Sequence, residues 1–388
     1  MRIRLTAVPT VIPAVLLTGL LPVLLTVLLA GCGADGSQGG PVPQPSVAGT
    51  PPAGTRVSPP PSATTVPTPR VQGDVATGLD VPWGLDFLPG GDALIAERDT
   101  GRVIRVTRFG AVREAGRVPG VLAAGESGLL GLAVSPGFAS DQLIFVYYTT
   151  GEDNRIARLT YQSGRLGRPE PIVTGIPSGP IHDGGRLEFG PDGMLYASTG
   201  ESGDAELAQD LESLGGKILR LTPSGNPAPD NPFGDSLVYS YGHRNVEGLA
   251  FDSAGRLWAS EFGESTSDEL NLIRPGGNYG WPRVEGRSGG DEYTDPVAQW
   301  TPGEASPSGV AVAGDVVYMA ALRGERLWQM PIRGAGVGRP AGLFTGEYGR
   351  LRTVEVAPDG ALWLTTSNLD GRGSPRAGDD RILRVALR

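Results

Sequence analysis

Cysteine and lysine are almost absent from this chain of 388 residues, which has one cysteine, Cys32, and a single lysine, Lys217. One cysteine excludes an internal disulfide, a cysteine-rich zinc site and an iron–sulfur cluster. Because lysine is so rare, arginine carries nearly all of the positive charge, and its planar fork grips carboxylates and stays charged when partly buried. Individual arginines are therefore candidates for binding anions.

Charged residues (19%) and aromatic residues (6%) are also scarce, whereas glycine (60) and proline (35) are abundant. Glycine and proline interrupt helices, so the composition argues against a helical bundle or a coiled coil and favours short strands joined by turns. The net charge is −9. An acidic chain lacks the general attraction to phosphate that dominates nucleic-acid affinity, so we expect no DNA or RNA partner.

The first 31 residues have the pattern of an export signal. Arg2 and Arg4 precede a long apolar run, which ends in Leu29-Ala30-Gly31-Cys32. This pattern predicts a signal peptide over residues 1–31. Its ending resembles the bacterial lipobox, which implies cleavage before Cys32, a lipid anchor on that residue, and a position on the outer face of the cell membrane. The alternative is an uncleaved membrane-spanning helix, which the prolines within the run disfavour.

Residues 32–73 are rich in proline, glycine, serine and threonine. Such a composition buries too little apolar surface to offset the entropy of ordering, and its prolines favour an extended chain. We expect a disordered tether that separates a folded domain, residues 74–388, from the membrane.

A repeated pattern fills the remainder of the chain: an apolar alternating run, a short turn and a second apolar run. The six copies start at Gly84, Gly131, Arg186, Gly248, Gly309 and Thr353, and most are followed by a third strand-like stretch such as RVIRV or KILRL. Period-two alternation indicates half-buried strands, and strand repeats of about 40–50 residues are typical of propeller blades. The sequence predicts an all-β, six-bladed propeller with four-stranded antiparallel blades. The segment before the first repeat is a candidate outer strand for the last blade.

Residues that occur once, between the repeated strands, are the candidates for function. His182 precedes the third copy of the repeat, and a neutral imidazole is the usual general base near pH 7; the alternative is a structural histidine. Arg244 and Asn245 occupy the corresponding loop of the next blade. A cation beside an amide suits an anion or a developing oxyanion, whereas the alternative is an arginine that braces loops.

Further loops carry charged residues of the kinds that bind a metal ion or an anion. The segment 260–282 combines carboxylates with glycine-rich turns, which offer the oxygen ligands that calcium prefers, although a merely solvated acidic loop has the same composition. Arg323 lies in another loop, and Arg350 and Arg352 are two residues apart, so in a strand they share a face. They either converge on an anionic ligand or form a solvated basic edge.

From about residue 74 the chain resembles the soluble pyrroloquinoline quinone (PQQ) dependent glucose dehydrogenases, also called aldose sugar dehydrogenases. The resemblance rests on GESGLLGLAVSPGF, HDGGRLEFGPDG, SLGGKILRL, GHRN-x-x-GLAF, DELNLI-x-x-GGNYGWP and GRLRTVEVAPDG. It implies a six-bladed propeller that uses PQQ and calcium to oxidise an aldose at C1 to a lactone, with electrons passed to an external acceptor.

The resemblance also implies roles for individual residues. His182 matches the family's catalytic base, and the matches to cofactor-binding residues are Arg244, which also stabilises charge on the reacting oxygen, Asn245, Arg350, Arg352 and, near a family lysine, Arg323. Backbone oxygens of Gly263 and Glu264 match ligands of the catalytic calcium. Glu269 and Tyr279 match a second, structural calcium site, and Glu126 matches a substrate-contacting position.

The chain departs from the family pattern in places. Glu247 stands where a family glutamine is expected, and Glu264-Ser265-Thr266-Ser267 replaces a calcium loop that contains Gly-Pro. Two other functions remain open on the sequence: a non-enzymatic surface propeller that binds glycan or protein, and a calcium-dependent lactonase. A lactonase needs a metal held mainly by side chains in the central channel, and no comparable acidic cluster is spread across the repeats.

Overall fold

The computed structural model describes residues 66–388, and the predicted signal peptide, Cys32 and most of the predicted tether lie outside this range. The described residues form six antiparallel sheets arranged in sequence order. Each sheet begins with one copy of the repeat, so the predicted six-bladed β-propeller is confirmed. Within residues 66–388 no helix is long and apolar enough to cross a bilayer.

The first strand, β1 (Arg70–Ala76), belongs to the last blade rather than to the first. It takes in Arg70 to Gly73, which the sequence analysis assigned to the tether. The first blade consists of β2 (Pro82–Phe87), β3 (Ala93–Glu97), β4 (Arg102–Val106) and β5 (Val112–Arg117). The second blade consists of β6 (Leu129–Val134), β7 (Leu143–Thr149), β8 (Asn154–Gln162), the short β9 (Arg165–Leu166) and β10 (Glu170–Ile176). The third blade consists of β11 (Leu187–Phe189), β12 (Leu195–Ser198), β13 (Lys217–Leu221) and β14 (Val238–Tyr241). A short helix, α1 (Phe138–Asp141), joins β6 to β7, and a 3₁₀ turn (Ala205–Ala208) lies between β12 and β13.

The fourth blade consists of β15 (Asn245–Phe251), β16 (Leu257–Phe262), β17 (Asp268–Ile273) and β18 (Ala298–Trp300). The fifth blade consists of β19 (Pro307–Ala313), β20 (Val316–Ala321), β21 (Arg326–Arg333), the short β22 (Gly336–Val337) and β23 (Ala341–Leu343). The sixth blade contains β24 (Leu351–Val356), β25 (Leu362–Thr366) and β26 (Ile382–Ala386). Strand β1 pairs with β26 and completes the sixth blade. The outer strand of the last blade thus comes from the segment before the first repeat, as expected, and the two ends of the described chain close the ring.

Apolar side chains fill the space between neighbouring blades in six clusters, one at each interface. Both faces of a blade are covered in this way, which explains why the middle strands are apolar throughout and show weaker alternation. Burial of these clusters is the main contribution to stability that the fold offers.

The glycine at the start of several repeats has a steric cause. A Cβ on Gly84 in β2 would lie 2.6 Å from the backbone oxygen of Leu130 in the next blade, and a Cβ on Gly131 in β6 would overlap Gly185 of the blade after that. The innermost strands therefore approach so closely that no side chain fits between them.

Lys217 begins β13 and is buried completely. Its Nζ donates hydrogen bonds to the carbonyl oxygens of Leu207 (2.6 Å), Ala208 (3.1 Å) and Gly215 (2.6 Å), which use all three donors of the ammonium group. This lysine thus holds the long loop between β12 and β13, which contributes Glu201 to the site described below.

Candidate active site

The candidate residues converge at one end of the ring, on loops that enter the innermost strands or join the second and third strands of a blade. His182 precedes β11, Arg244 precedes β15, and Arg350 precedes β24. Arg323 and Gly263 lie in the loops that follow β20 and β16. In an antiparallel four-stranded blade these two kinds of loop emerge at the same edge, so residues distant in sequence meet there.

A cavity of about 290 Å³ opens at this end. Its charged lining consists of five arginines and two glutamates: Arg98, Arg323, Arg350, Arg352, Arg372, Glu126 and Glu247. Trp83 and Phe262 supply aromatic surface. Three of the predicted cofactor-binding arginines are therefore brought together, and the excess of positive charge suits an anionic, planar ligand.

Arg350 and Arg352 converge as expected, but the group between them is a carboxylate of the protein. Asp370 Oδ2 lies 2.9 Å from Nη2 of Arg350 and 3.5 Å from Nη2 of Arg352. Burial alone raises the pKa of Asp370, but the charges of Arg352 and Arg350 outweigh it and hold the pKa below its usual range. Asp370 is not predictable from the sequence, because its loop lies outside the repeats and resembles a solvated turn.

Glu247, the unexpected acid, has a defined partner. Its Oε2 accepts hydrogen bonds from Ser308 Oγ at 2.7 Å and from Arg352 Nη1 at 3.0 Å. Burial lowers the pKa of the Arg352 guanidinium, whereas the neighbouring carboxylates of Glu247 and Asp370 oppose this effect. The extra negative charge is therefore neutralised within the protein.

His182 sits in a strained backbone conformation with φ of 58°, in the left-handed region. Its Nδ1 lies 2.6 Å from Oε1 of Glu201, and Nε2 has no hydrogen-bond partner among residues 66–388. Both side chains are nearly buried. Glu201 thus fixes the tautomer with the proton on Nδ1 and leaves Nε2 able to accept a proton. Its role was not foreseen, although an acid at the start of the β12–β13 loop is a detectable signal.

The segment after His182 is held from several directions. Asp183 accepts hydrogen bonds from Ser127 Oγ and Asn154 Nδ2, both at 2.8 Å. Asn245 Oδ1 accepts a hydrogen bond from the backbone N–H of Gly184 at 3.0 Å. Part of Asn245, which was expected to contact the cofactor, is thus used to position the histidine loop.

Glu126, the predicted substrate contact, uses both carboxylate oxygens within the protein. Oε2 accepts the backbone N–H of His182 at 2.7 Å, and Oε1 lies 2.8 Å from Nη1 of Arg372. Burial raises the pKa of Glu126, but the hydrogen bond from His182 and the pairing with Arg372 prevail, so the pKa is below its usual range. The carboxylate is therefore ionised at neutral pH.

Arg244 has an unused donor. Its backbone N–H donates to Glu261 Oε1 at 2.6 Å and its guanidinium lies 5.3 Å from the centre of the Trp281 ring, but its buried Nε has no hydrogen-bond partner among residues 66–388. A buried donor without a partner costs free energy, so its presence here favours an acceptor that a ligand supplies.

The predicted calcium loop is built around an acid that sequence analysis did not single out. Glu285 Oε1 accepts four backbone hydrogen bonds, from Glu264, Ser265, Thr266 and Ser267, at 2.7 to 3.0 Å. Burial raises the pKa of Glu285, but these hydrogen bonds dominate and lower it to about 2. With its N–H groups turned toward Glu285, the loop leaves the carbonyl oxygens of Gly263 and Glu264 without hydrogen bonds from residues 66–388.

Glu269 and Tyr279 lie beside this loop around a cavity of about 10 Å³, the size of one water or ion. Asn271 Nδ2 bridges Glu269 (3.0 Å) and Glu261 (3.2 Å), while the buried Oδ1 of Asn271 has no partner among the residues described. Burial and the charge of Glu261 raise the pKa of Glu269 to about 8. Two buried acids beside a space of this size fit a cation.

The side chain of Tyr279 does not fit the predicted ligand role. Its hydroxyl donates to the oxygen of Leu272 at 2.8 Å and accepts from the N–H of Arg274 at 3.0 Å, and its ring stacks on His243. Across residues 66–388, no group of three or more histidine, cysteine, aspartate or glutamate side chains is placed to hold a metal. Any cation here depends on backbone and amide oxygens as well.

Comparison with known proteins is consistent with this site. The family model described as Glucose / Sorbosone dehydrogenase matches residues 79–383. The solved PQQ-bound aldose sugar dehydrogenase from Streptomyces coelicolor is 56% identical, with a TM-score of 0.81 over 83% of this chain and 98% of that one. A solved oxidoreductase from Thermus thermophilus, described as a glucose dehydrogenase, is 48% identical, with a TM-score of 0.78 over 82% and 100% of the two chains.

Aldose sugar dehydrogenase YliI from Escherichia coli K12 is 31% identical over 77% of this chain and 91% of its own length. The fold, the family match and these relatives together identify a propeller oxidoreductase. The chain belongs to the glucose/sorbosone dehydrogenase family and is a quinoprotein that oxidises sugars.

The residues present fit PQQ, a planar quinone with several carboxylates. The cavity has an excess of arginines, and Arg244 presents a buried donor without a partner among residues 66–388. The carbonyl oxygens of Gly263 and Glu264 are hard ligands of the kind that calcium takes. Arg323 is exposed and is free to reach an anionic group.

Proposed function

We propose that this protein oxidises aldose sugars at the C1 hydroxyl to the lactone, with PQQ and calcium bound at the propeller mouth and an external acceptor for the electrons. The observation that carries the proposal is the pair of His182 and Glu201, which Glu126 links to the arginine-lined cavity. A base with an unpaired nitrogen close to an anion-binding cavity suits removal of a hydroxyl proton beside a quinone.

Arg323, Arg350, Arg352 and Arg244 would hold the carboxylates and ring oxygens of PQQ, and the carbonyl oxygens of Gly263 and Glu264 would hold calcium. When bound, the cofactor supplies a quinone that takes up two electrons, and calcium supplies a Lewis acid. The cation cluster offsets negative charge that develops in the reaction without needing to reorganise.

The protein's own part in the reaction is proton transfer and orientation. His182 Nε2 accepts the proton of the sugar's C1 hydroxyl, and the resulting imidazolium is stabilised by Glu201 at Nδ1. Because Glu201 is buried and also accepts a hydrogen bond from the N–H of Gly203, it stays in place while the charge on His182 changes. Asn245 and Asp183 fix the loop that carries the histidine.

The place where the protein works is also part of the proposal. The lipobox-like pattern at Cys32 supports export, removal of residues 1–31 and anchoring of the mature chain to the outer face of the cell membrane. The propeller would then meet sugars and its electron acceptor outside the cytoplasm.

Reduction of an artificial dye by purified protein tests the proposed function. We expect aldose-dependent turnover that requires both PQQ and calcium, and saturable quinone binding that calcium strengthens. No turnover together with no saturable PQQ binding would refute it. Retention on a polysaccharide without quinone affinity, or hydrolysis of a lactone without PQQ, would point to the other functions that the sequence left open.

A further inference from the structure

An ion pair spans the mouth of the channel between loops that are far apart in the chain. Arg372 lies in the loop between β25 and β26 of the last blade, and Glu126 lies in the loop that leads into β6 of the second blade. Nη1 of Arg372 is 2.8 Å from Oε1 of Glu126. The arginine side chain is 53% exposed and the glutamate 21% exposed, so the pair lies at the surface of the cavity.

Glu126 transmits this contact to the catalytic loop. Its second oxygen accepts the N–H of His182, and its own N–H donates to Pro180 at 3.1 Å. The loops touch closely, because a Cβ on Gly125 would overlap the carbonyl oxygen of Pro180. A shift of Glu126 would therefore move the backbone of His182, which is already in a conformation that needs outside support.

On its other side, Arg372 is joined to the arginines that would hold the cofactor. The N–H of Arg372 donates to Asp370 Oδ1 at 2.9 Å, and Oδ2 of the same carboxylate binds Arg350 at 2.9 Å. One continuous set of polar contacts thus runs from Arg350 through Asp370, Arg372 and Glu126 to His182. It connects the arginine-lined cavity with the loop that carries the base.

We propose that Arg372 is a positioning residue, which acts through Glu126 to fix the backbone of His182 relative to the arginine-lined wall. The proposal rests on the proposed function for its catalytic meaning. Glu126 is then part of this link, and each of its carboxylate oxygens already makes one contact within it. An isolated exposed ion pair contributes little to the free energy of unfolding. The role of this pair is therefore to keep His182 aligned with the arginines of the cavity.

The sharpest test is NMR spectroscopy of the cofactor-free protein. The chain has only two histidines, so their imidazole signals are readily distinguished. Imidazole NMR signals of full-length protein can be assigned with His182→Gln. We expect Arg372→Met and Glu126→Gln to shift the His182 signals, and Arg372→Lys to restore them in part. His243, buried and bound to Ser240 and Glu261, serves as an internal reference for the fold.

Arg376→Met is the matched control, since Arg376 lies in the same loop but donates to the carbonyl oxygens of Glu347 and Gly346 instead. It should leave the signals of both histidines unchanged. The proposal is overturned if Arg372→Met leaves His182 unchanged, or if it moves His243 as much as His182. The second result would show a general change of the fold.

Kinetics of the PQQ-loaded enzyme form a second arm. Arg372→Met should lower kcat about three- to tenfold, the effect expected from loss of one charged hydrogen bond at a partly exposed site, with the sugar KM changed less than about twofold. The double variant with Glu126→Gln should be no worse than Glu126→Gln alone, since Arg372 acts only through Glu126. Effects that multiply would overturn the proposal. A wild-type enzyme without sugar turnover would refute the proposed function but leave the NMR result decisive for the link.

Discussion

Nδ1 of His182 lies 2.6 Å from Oε1 of Glu201, and both side chains are withdrawn from solvent. The pairing leaves the histidine with Nδ1 hydrogen-bonded to Glu201, while Nε2 has no hydrogen-bond partner among residues 66–388. It also places a buried negative charge where the imidazolium would need it.

The first prediction concerns this pair. His182→Gln should lower kcat by about 10²- to 10⁴-fold, the usual contribution of general base catalysis, with PQQ affinity largely retained. Glu201→Gln should lower kcat by about 10- to 100-fold, because a neutral amide stabilises the charged imidazole less. Single-turnover kinetics with PQQ titrations measure both effects. Full activity in His182→Gln would remove this residue from the mechanism.

The second prediction concerns Asp370, which separates two buried arginines. Asp370→Asn leaves Arg350 and Arg352 without that counter-charge, and removal of one partner from a buried ion pair costs about 3–5 kcal/mol. We expect a clear loss of thermal stability in the cofactor-free protein. PQQ should restore more stability to this variant than it adds to the wild type, since its carboxylates replace the missing charge. An equal gain in both proteins would contradict this account.

The third prediction concerns Glu285 and acid stability. Its pKa is about 2 in the folded protein, below its ordinary value of 4.5, so its contribution to stability is present above pH 4.5 and is lost as the pH falls toward 2. Glu285→Gln should flatten the pH dependence of unfolding in this window. It should also weaken calcium binding, because the loop 263–267 loses its anchor. Denaturant titrations from about pH 5 to about pH 2.5 and calcium titrations would measure these effects, and an unchanged slope would count against the role of Glu285.

The fourth prediction concerns the close contact of innermost strands. Gly84→Ala places a methyl group 2.6 Å from two backbone atoms of the second blade, which cannot yield without moving a strand. Overpacking of this kind costs about 1–3 kcal/mol. Gly90→Ala is the control, because nothing lies within 4 Å of its Cβ position. Urea unfolding should separate the two variants, and equal stability would show that the blades can move apart.

The fifth prediction concerns the proposed anchor. Cys32→Ser should abolish incorporation of labelled fatty acid, because one cysteine carries the whole lipid attachment. A variant of the nearby tether, Ser37→Ala, should keep the label. Wild-type protein that stays in the membrane fraction, carries no label and retains residues 1–31 would favour the spanning-helix alternative.

The blades could be predicted because each one repeats the same turn and strand pattern, so six weak signals support each other. The predicted arginines and His182 also meet at one end, as the propeller order requires. The residues that could not be predicted are hydrogen-bond and ion-pair partners of the site residues, because their roles depend on contacts between loops. Asp370, Glu201 and Glu285 look like ordinary polar loop residues until each blade folds and places them beside Arg350, His182 and residues 264–267. Arg372 reaches Glu126 when the ring closes. Glu126 lines the cavity, and its predicted contact with substrate stays a prediction; its contacts with His182 and Arg372 join loops of different blades.

The single lysine has a practical consequence. Lys217 is buried beneath a loop, and its Nζ donates hydrogen bonds to three carbonyl oxygens. Reagents that acylate amines, including common surface-coupling and cross-linking esters, would find no reactive side chain on the folded propeller. Attachment to an electrode or a bead by such chemistry would be confined to the chain's α-amino group, and a lysine introduced on a chosen blade would become a unique handle for orienting the molecule.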